Sequence, residues 1–147
     1  MAEYSNILIA VDFSSGAEIV EAGLALAGDQ TTVYLMHVVE PLAGLYNIDE
    51  LSWQEQIVSL EGVAKKAAKD QLKKLCEPYS IPASQQIIAT GKAAREIHCF
   101  IDDNNIDLVV LGSHGQHGLQ LLLGSTANGV LHGATCDVFC VRVAGSD

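Results

Sequence analysis

The stretch GSHGQHGLQLLLGS, from Gly112 to Ser125, contains residues suited to binding an anion. Four glycines, two histidines and four leucines lie within these fourteen residues. Gly112 and Gly115 allow backbone conformations and a close approach that a side chain would prevent. Ser125 and Thr126 begin a predicted helix, whose N-terminus offers unpaired N–H groups and about half a positive charge. Together these features predict a cradle for phosphate groups.

The same stretch also fits a simple turn between a strand and a helix. It lacks the Gly-Lys-Ser/Thr of a P-loop and does not follow the G-x-G-x-x-G pattern of dinucleotide-binding folds. In a turn, the hydroxyls would cap the helix, and a group of leucines would pack the connection onto the core. These leucines are Leu119, Leu121, Leu122 and Leu123. Spacing alone leaves both interpretations open.

Metal binding is a third interpretation, because His114 and His117 lie three residues apart. The stretch has no cysteine or carboxylate to complete a ligand set, and Asp12 would be the only distant ligand. The four cysteines, Cys76, Cys99, Cys136 and Cys140, form no C-x-x-C pair. We expect them to be reduced and part-buried, and we expect no metal site. The scattered histidines are expected to be structural; they are His37, His98 and His132.

Asp12 follows the apolar run NILIAV at Asn6–Val11. Its carboxylate could bond a ribose hydroxyl or hold Mg²⁺ beside phosphates. It could equally stabilise the N-terminus of the helix that follows. The chain shows no nucleophile–base pair, because Ser113-His114 lacks the G-x-S-x-G pattern of a nucleophile elbow. We therefore predict no catalytic residues and a binding protein rather than an enzyme.

Five apolar runs predict the strands that position these residues. They are Asn6–Val11, Thr32–Val39, Gln86–Ala89, Asp107–Leu111 and Asp137–Val143. Four helices alternate with them. The first helix runs from a capping box at Ser15 and Glu18 to Gly28. The second begins at a similar box, Ser52 and Glu55, and its apolar stripe consists of Ile57, Leu60, Ala64, Ala67 or Ala68, and Leu75. The third carries Ala94, Ile97, His98 and Ile101 and ends near Asn104 and Asn105, and the fourth is Ser125–Gly133.

This alternation predicts one doubly wound α/β domain over residues 1–147, with a parallel five-stranded sheet and helices on both faces. In such sheets ligands bind beyond the carboxyl ends of the strands. Asp12 and the glycine stretch both lie at such ends. They face each other if the first and fourth strands are neighbours.

Composition limits the classes of partner. Eight basic and eighteen acidic residues give a net charge of -10, which disfavours nucleic-acid binding. Five lysines of the second helix are expected to form a solvated face: Lys65, Lys66, Lys69, Lys73 and Lys74. The chain shows no signal peptide and no apolar run of membrane-spanning length. We expect a soluble, cytoplasmic protein that binds neither nucleic acid nor membrane.

Four segments of the chain resemble the universal stress protein family. They are NILIAVDFS, HVVEP, DLVVLGSHG and GSTANGVLHGATCDVFCVRV. The resemblance covers essentially the whole length. It implies the strand order 3-2-1-4-5, which makes the first and fourth strands neighbours. It also implies a homodimer formed through the last strand, Asp137–Val143.

One branch of this family binds ATP through the motif Gly, two residues, Gly, nine residues, Gly, then Ser or Thr. Here Gly112, Gly115, Gly124 and Ser125 match, but eight residues separate Gly115 from Gly124. Removing one residue can shift the returning chain by up to about 3.5 Å, a change that the flexible Gly118 can absorb. The implied site for ATP with Mg²⁺ comprises Ala10, Val11, Asp12, Val38, Leu111, Gly112, His114, Gly115, Gly124, Ser125 and Thr126.

The resemblance and the short spacer leave three functions open. The first is a stress protein that senses an adenine nucleotide. The second is a stress protein without nucleotide that acts through its dimer surface. The third, a slow ATPase or phosphotransferase, is disfavoured because no base or nucleophile lies near the loop.

Overall fold

The computed structural model describes residues 3–13, 15–40, 51–113 and 125–143, apart from the side chains of residues 51–61. Strands and helices alternate throughout. In chain order they are β1 (Asn6–Ala10), α1 (Gly16–Leu24), β2 (Thr32–Val39), α2 (Leu51–Cys76), β3 (Gln86–Thr90), α3 (Ala93–Asp103), β4 (Leu108–Ser113), α4 (Ser125–Gly133) and β5 (Asp137–Arg142). Short 3-10 turns at Glu77–Tyr79 and Ala83–Gln85 join α2 to β3.

All five strands are parallel and are ordered β3-β2-β1-β4-β5. Both the predicted doubly wound α/β fold and the order implied by the resemblance are confirmed. Strand β1 lies at the centre, where Ile9 is opposite Leu35 of β2 and Val110 of β4. The first and fourth strands are therefore neighbours, as expected.

Each face of the sheet has its own apolar core. On one face, α1 and α2 cover the side chains of Ile7, Ile9, Val33, Leu35 and Val110. On the other face, the core comprises Leu8, Met36, Val109 and Leu111 together with Ile97 and Ile101 of α3 and Ala127 and Val130 of α4. Alternate β1 side chains point to opposite faces, and both faces are covered. This burial explains why β1 reads as one continuous apolar run.

Helix α1 is shorter than predicted. It ends at Leu24, with Ala25 as its C-cap, and does not extend to Gly28. The Gly28 amide instead donates to the Thr31 hydroxyl (2.9 Å), and the Thr31 amide donates to the Gly28 carbonyl (3.2 Å). Gly28 therefore belongs to the turn that leads into β2.

Helix α2 buries Ala68, Leu72 and Cys76, which recur at every fourth residue. Ala67 is exposed, so Ala68 takes the position that the sequence had left open between them. Ala64 and Leu75 of the predicted stripe are half-buried, whereas the side chains of Ile57 and Leu60 lie outside the described residues. The five lysines are exposed, as expected of a solvated face. Among the described helices, none has an apolar stretch of the kind that could cross a membrane.

At the amino ends of the strands, which we call the amino edge, side chains form hydrogen bonds that join different strands. The two carboxylate oxygens of Asp107 accept hydrogen bonds from the amides of Ser5 (2.8 Å) and Asn6 (2.9 Å). The Tyr4 hydroxyl donates to the Asp137 carboxylate at 2.8 Å. These contacts tie the start of β1 to the starts of β4 and β5.

Candidate nucleotide site

The carboxyl ends of β1 and β4 lie side by side, at what we call the carboxyl edge. The parallel register places Ile7, Leu8 and Ile9 opposite Leu108, Val109 and Val110. The next residue of each strand is a predicted site residue, Ala10 in β1 and Leu111 in β4. Asp12 follows two residues after Ala10. The structure therefore brings the predicted acid and the first motif glycine to the same edge.

Gly112 lies within β4 rather than in the loop that the sequence predicted. It pairs with Val141 of β5, and β4 continues through Ser113. Gly112 does not use the conformational freedom that its type allows, because Gly91 is the glycine with positive φ among the described residues. The predicted close approach is present, but the groups that approach Gly112 are packed side chains. An added Cβ at Gly112 would lie 2.9 Å from Cδ1 of Ile19 and 3.0 Å from Cγ2 of Val143.

Asp12 acts on the N-terminus of α1. Its Oδ1 accepts a hydrogen bond from the Ser15 amide at 3.3 Å. Ser15 occupies the predicted N-cap position, but its side chain makes no capping bond, so the predicted capping box with Glu18 is wrong. The capping role that the sequence allowed for Asp12 is therefore present. It does not exclude a ligand, because a carboxylate has several acceptor sites.

His37, near the end of β2, contacts the chain on both sides of Asp12. Its Nδ1 lies 2.8 Å from the Val11 carbonyl oxygen, and its ring centroid lies 4.2 Å from that of Phe13. Sequence reasoning treated this histidine as merely structural. One sequence signal could have indicated a place near the site: His37 lies in TVYLMHVV, two residues before the carboxyl end of a predicted strand.

The predicted base-contacting residue, Val38, is half-buried on the α3–α4 face of the sheet, beside Ala89. Ala10 and Leu111 pack in the same cluster. Val11 packs on the opposite, α1–α2 face and is 6% exposed. The side chains of Ala10 and Val11 therefore point to opposite faces of the sheet.

Helix α4 begins at Ser125, as predicted, and both Ser125 and Thr126 are exposed. Ala127 and Val130 hold the helix against the sheet. Because helices in a parallel sheet run back against the strands, the α4 N-terminus lies toward the carboxyl edge. His114, Gly115 and Gly124 lie outside the described residues.

The far end of α4 is fixed by α3. Nε2 of His98 donates to the Val130 carbonyl at 2.9 Å, and that carbonyl belongs to the last helical turn, which lacks helical partners. Gly129 lies so close to Ala94 that an added Cβ would be 2.8 Å from the Ala94 Cβ. The predicted structural role of His98 is confirmed by this contact.

No group of three or more histidine, cysteine or acidic side chains that could hold a metal occurs among the described residues. The four cysteines lie in this part of the chain and are free, but Cys99 is exposed, contrary to the expected partial burial. Cys76 is fully buried, and this burial raises the pKa of its thiol to about 11. The predicted pair His114 and His117 lies outside the described residues.

A cleft of about 410 Å³ adjoins the Asp12 turn between α1 and α2. Phe13, Ser15, Lys74 and Leu75 contribute to its lining. It opens on the α1–α2 side, whereas Val38 faces α3 and α4. We place the candidate site at the strand ends rather than in this cleft, because the strand ends bring the predicted residues together.

Comparisons with known proteins agree with this architecture. A model of the universal stress protein family matches residues 3–142. Universal stress protein A homolog 2 of Coxiella burnetii is 36% identical over 152 aligned positions, covering 99% of this chain and 100% of that protein. MJ0577 of Methanocaldococcus jannaschii has the same fold, with a TM-score of 0.81, 25% identity and coverage of 99% of this chain and 100% of that one.

A universal stress protein in complex with cAMP also shares the fold, with a TM-score of 0.61 and 18% identity, covering 97% of this chain and 100% of that one. The family match spans nearly all of the chain, and the Coxiella relative aligns end to end. The strand order and the pairing of β1 with β4 agree with the order that the resemblance to this family implied. This chain therefore belongs to the universal stress protein family.

Proposed function

We propose that this chain binds an adenine nucleotide, ATP together with Mg²⁺, at the carboxyl edge between β1 and β4. The observation that carries the proposal is the direct parallel pairing of these strands, with Ile9 opposite Val110. This pairing supports a shared site because Asp12 follows one strand and Gly112 is the next-to-last residue of the other. The nucleotide state would then alter partner choice or dimer form in a stress response.

The first turn of α4 suits the phosphates. Its N–H groups have no helical partners, and the exposed hydroxyls of Ser125 and Thr126 lie in the same turn. Asp12 would hold Mg²⁺ or a ribose hydroxyl through its carboxylate. Bound Mg²⁺ would neutralise phosphate charge. The net charge of -10 does not oppose this binding, because the donors are local.

The base would lie on the α3–α4 side of the carboxyl edge. Val38 is half-buried there, and Ala10 and Leu111 belong to the same apolar cluster. An apolar wall of this kind favours a flat aromatic ring over water. The side chains present therefore fit an adenine.

The eight residues between Gly115 and Gly124 set the expected strength of binding. A loop one residue shorter than the ATP-binding pattern presents the phosphates with a shifted α4 N-terminus. We expect weak to moderate affinity, with a Kd on the order of 0.1 mM.

Isothermal titration with Mg-ATP tests the proposal directly, with cAMP as a second ligand because one fold neighbour is in complex with it. We expect Asp12→Asn to weaken Mg-ATP binding about tenfold, since it removes the charge that interacts with Mg²⁺. Asp70→Asn, at an exposed position of α2, is the matched control and should bind like the wild type. Absence of heat at millimolar Mg-ATP would refute nucleotide binding.

Gly115→Val tests the loop separately. We expect it to abolish binding, because a branched side chain would fill the space the phosphates need. The variant should keep the wild-type unfolding midpoint. Retained affinity would show that the loop does not form the cradle.

A second function, association through β5, is favoured by one observation. This strand lies at an end of the sheet, and its Phe139 is 39% exposed. Exposed strands at the end of a sheet favour pairing with another chain, and we propose a homodimer through Asp137–Val143. Phe139→Lys should shift sedimentation equilibrium toward the monomer. Leu26→Lys, at a residue 41% exposed, is the control that should leave the association unchanged.

Binding rather than turnover is the role we propose, in the cytoplasm. Release of ADP from Mg-ATP would reveal a slow ATPase. If that release survived Asp12→Ala, the carboxylate would have no catalytic part in it.

A further inference from the structure

His37 joins the end of β2 to the turn that carries Asp12. Its Nδ1 is 2.8 Å from the Val11 carbonyl oxygen. Because a carbonyl can only accept, Nδ1 carries the proton and donates it. The imidazole ring also lies against the ring of Phe13, with centroids 4.2 Å apart and planes inclined by 32°. One side chain thus contacts both chain neighbours of Asp12.

The main chain strengthens this connection. The Val11 amide donates to the Met36 carbonyl at 2.9 Å, one residue before His37. Both main-chain groups of Val11 are therefore bound to β2, although β1 has already ended at Ala10. The turn after β1 cannot move away from β2 without breaking two hydrogen bonds and a ring contact.

The Asp12 carboxylate depends on the same turn. Its Oδ1 accepts the Ser15 amide at 3.3 Å, and this bond ties the carboxylate to the turn after β1. We propose that His37 is a positioning residue: by holding Val11 and Phe13, it fixes the direction of the Asp12 carboxylate at the carboxyl edge. This inference rests on the proposed function for its ligand, whereas its effect on the turn concerns this chain alone.

Two substitutions separate the contribution of the His37 hydrogen-bond donor from that of its ring contact. His37→Phe keeps a ring against Phe13 and removes the donor to Val11. His37→Asn places an amide nitrogen near the position of Nδ1 and removes the ring. His98→Phe is the matched control, because it removes an equivalent bond from an imidazole to the Val130 carbonyl, which lies in the last turn of α4 (2.9 Å).

Hydrogen exchange at the Ser15 amide tests the turn without any nucleotide. This amide reports the contact with Asp12, and local opening exposes it to exchange. We expect His37→Phe to accelerate its exchange about tenfold and His37→Asn to accelerate it less, since one bond and its coupled contacts are lost. An unchanged rate in His37→Phe, or an equal rise in His98→Phe, would overturn the positioning role.

A double-mutant cycle tests the link to the ligand. His37→Phe should weaken Mg-ATP binding about fivefold in the wild-type background. In Asp12→Asn, the same substitution should cause no further loss. Equal losses in both backgrounds would show that His37 acts without Asp12 and would overturn the inference. If the wild type does not bind Mg-ATP, the proposed function fails, and exchange at Ser15 alone decides the role of His37.

Discussion

The two edges of the sheet use the same type of side chain in different ways. At the amino edge, both oxygens of Asp107 accept amides of the chain itself, from Ser5 and Asn6. At the carboxyl edge, Oδ1 of Asp12 accepts the Ser15 amide at the longer distance of 3.3 Å. Close by, α4 begins with exposed hydroxyls. Contacts within the chain therefore join the strands at the amino edge, whereas the carboxyl edge is where we propose that a ligand binds.

Strand direction explains this difference. In a parallel sheet all strands begin at one edge, and the helices that follow them point their N-termini toward the other. Unpaired amides and partial positive charge therefore accumulate only at the carboxyl edge. Asp107, before β4, binds amides at the start of β1, whereas Asp12, after β1, lies at the edge where we propose that the nucleotide binds.

Exchanging each carboxylate for an amide gives the largest expected effect on stability. We expect Asp107→Asn to lower the free energy of unfolding by about 2 kcal/mol, because one amide of the main chain then faces an NH₂ group. Asp12→Asn should lower it by less, about 1 kcal/mol at most, since Oδ1 of the new amide can still accept the Ser15 amide and only the charge near the α1 N-terminus is lost. Urea denaturation measures both values.

Asp103→Asn, at an exposed residue that ends α3, is the control for Asp107. It should leave stability unchanged or slightly raised, because an acid is unfavourable at a helix C-terminus. Equal losses for Asp107→Asn and Asp12→Asn would remove the distinction between the edges.

An added methyl group at the carboxyl edge gives an intermediate effect. Gly112→Ala should lower the free energy of unfolding by about 1 kcal/mol, because the new Cβ would press on Ile19 and Val143. Gly62→Ala is the matched control: no atom lies within 4 Å of its added Cβ, and it sits in α2. That control should be stabilising by up to about 1 kcal/mol. A neutral Gly112→Ala would contradict the packing role of this glycine.

Removing one hydroxyl at the amino edge gives the smallest effect. The hydrogen bond to Asp137, followed by desolvation and the negative charge of Asp137, raises the pKa of the Tyr4 phenol. The neutral phenol is thus favoured in the folded state, so its stabilisation is present below pH 10 and is lost as pH rises through the raised pKa. Tyr4→Phe should lower Tm by less than about 2 °C at pH 8.

At pH 11 the difference between Tyr4→Phe and the wild type should shrink or reverse, because the ionised phenol repels Asp137. Thermal unfolding at both pH values is the measurement. A difference in Tm that stays constant between pH 8 and pH 11 would contradict the raised pKa, and equal Tm values at both pH values would show that the hydroxyl contributes nothing at this edge.

The sequence predicted the order of the elements well, because Ile7–Ile9 of β1 and Leu108–Leu111 of β4 are apolar and buried. It placed the end of β4 two residues too early, at Leu111 instead of Ser113. A glycine and a serine suggest a loop by their type, but pairing with Val141 and Arg142 of β5 extends the strand. Local propensity could not include this contact with a distant strand.

The candidate site was predicted in part for a similar reason. Asp12 and Gly112 were found because each stands at the end of an apolar run. The contact between His37 and Val11 was missed because it joins two different strands, and no spacing within either strand indicates it. The packing reason for Gly112 was missed as well, since Ile19 and Val143 come from other elements.

The central place of β1 also has a consequence for synthesis of the chain. Its residues 6–10 leave the ribosome first, but one of its two neighbours, β4, lies at residues 108–113. Until that late segment emerges, one side of β1 has unpaired main-chain groups and closing the long intervening loop carries an entropic cost. The carboxyl edge is therefore among the last parts of the molecule to form. An N-terminal fragment that ends at β3 contains Asp12 and His37 but lacks β4.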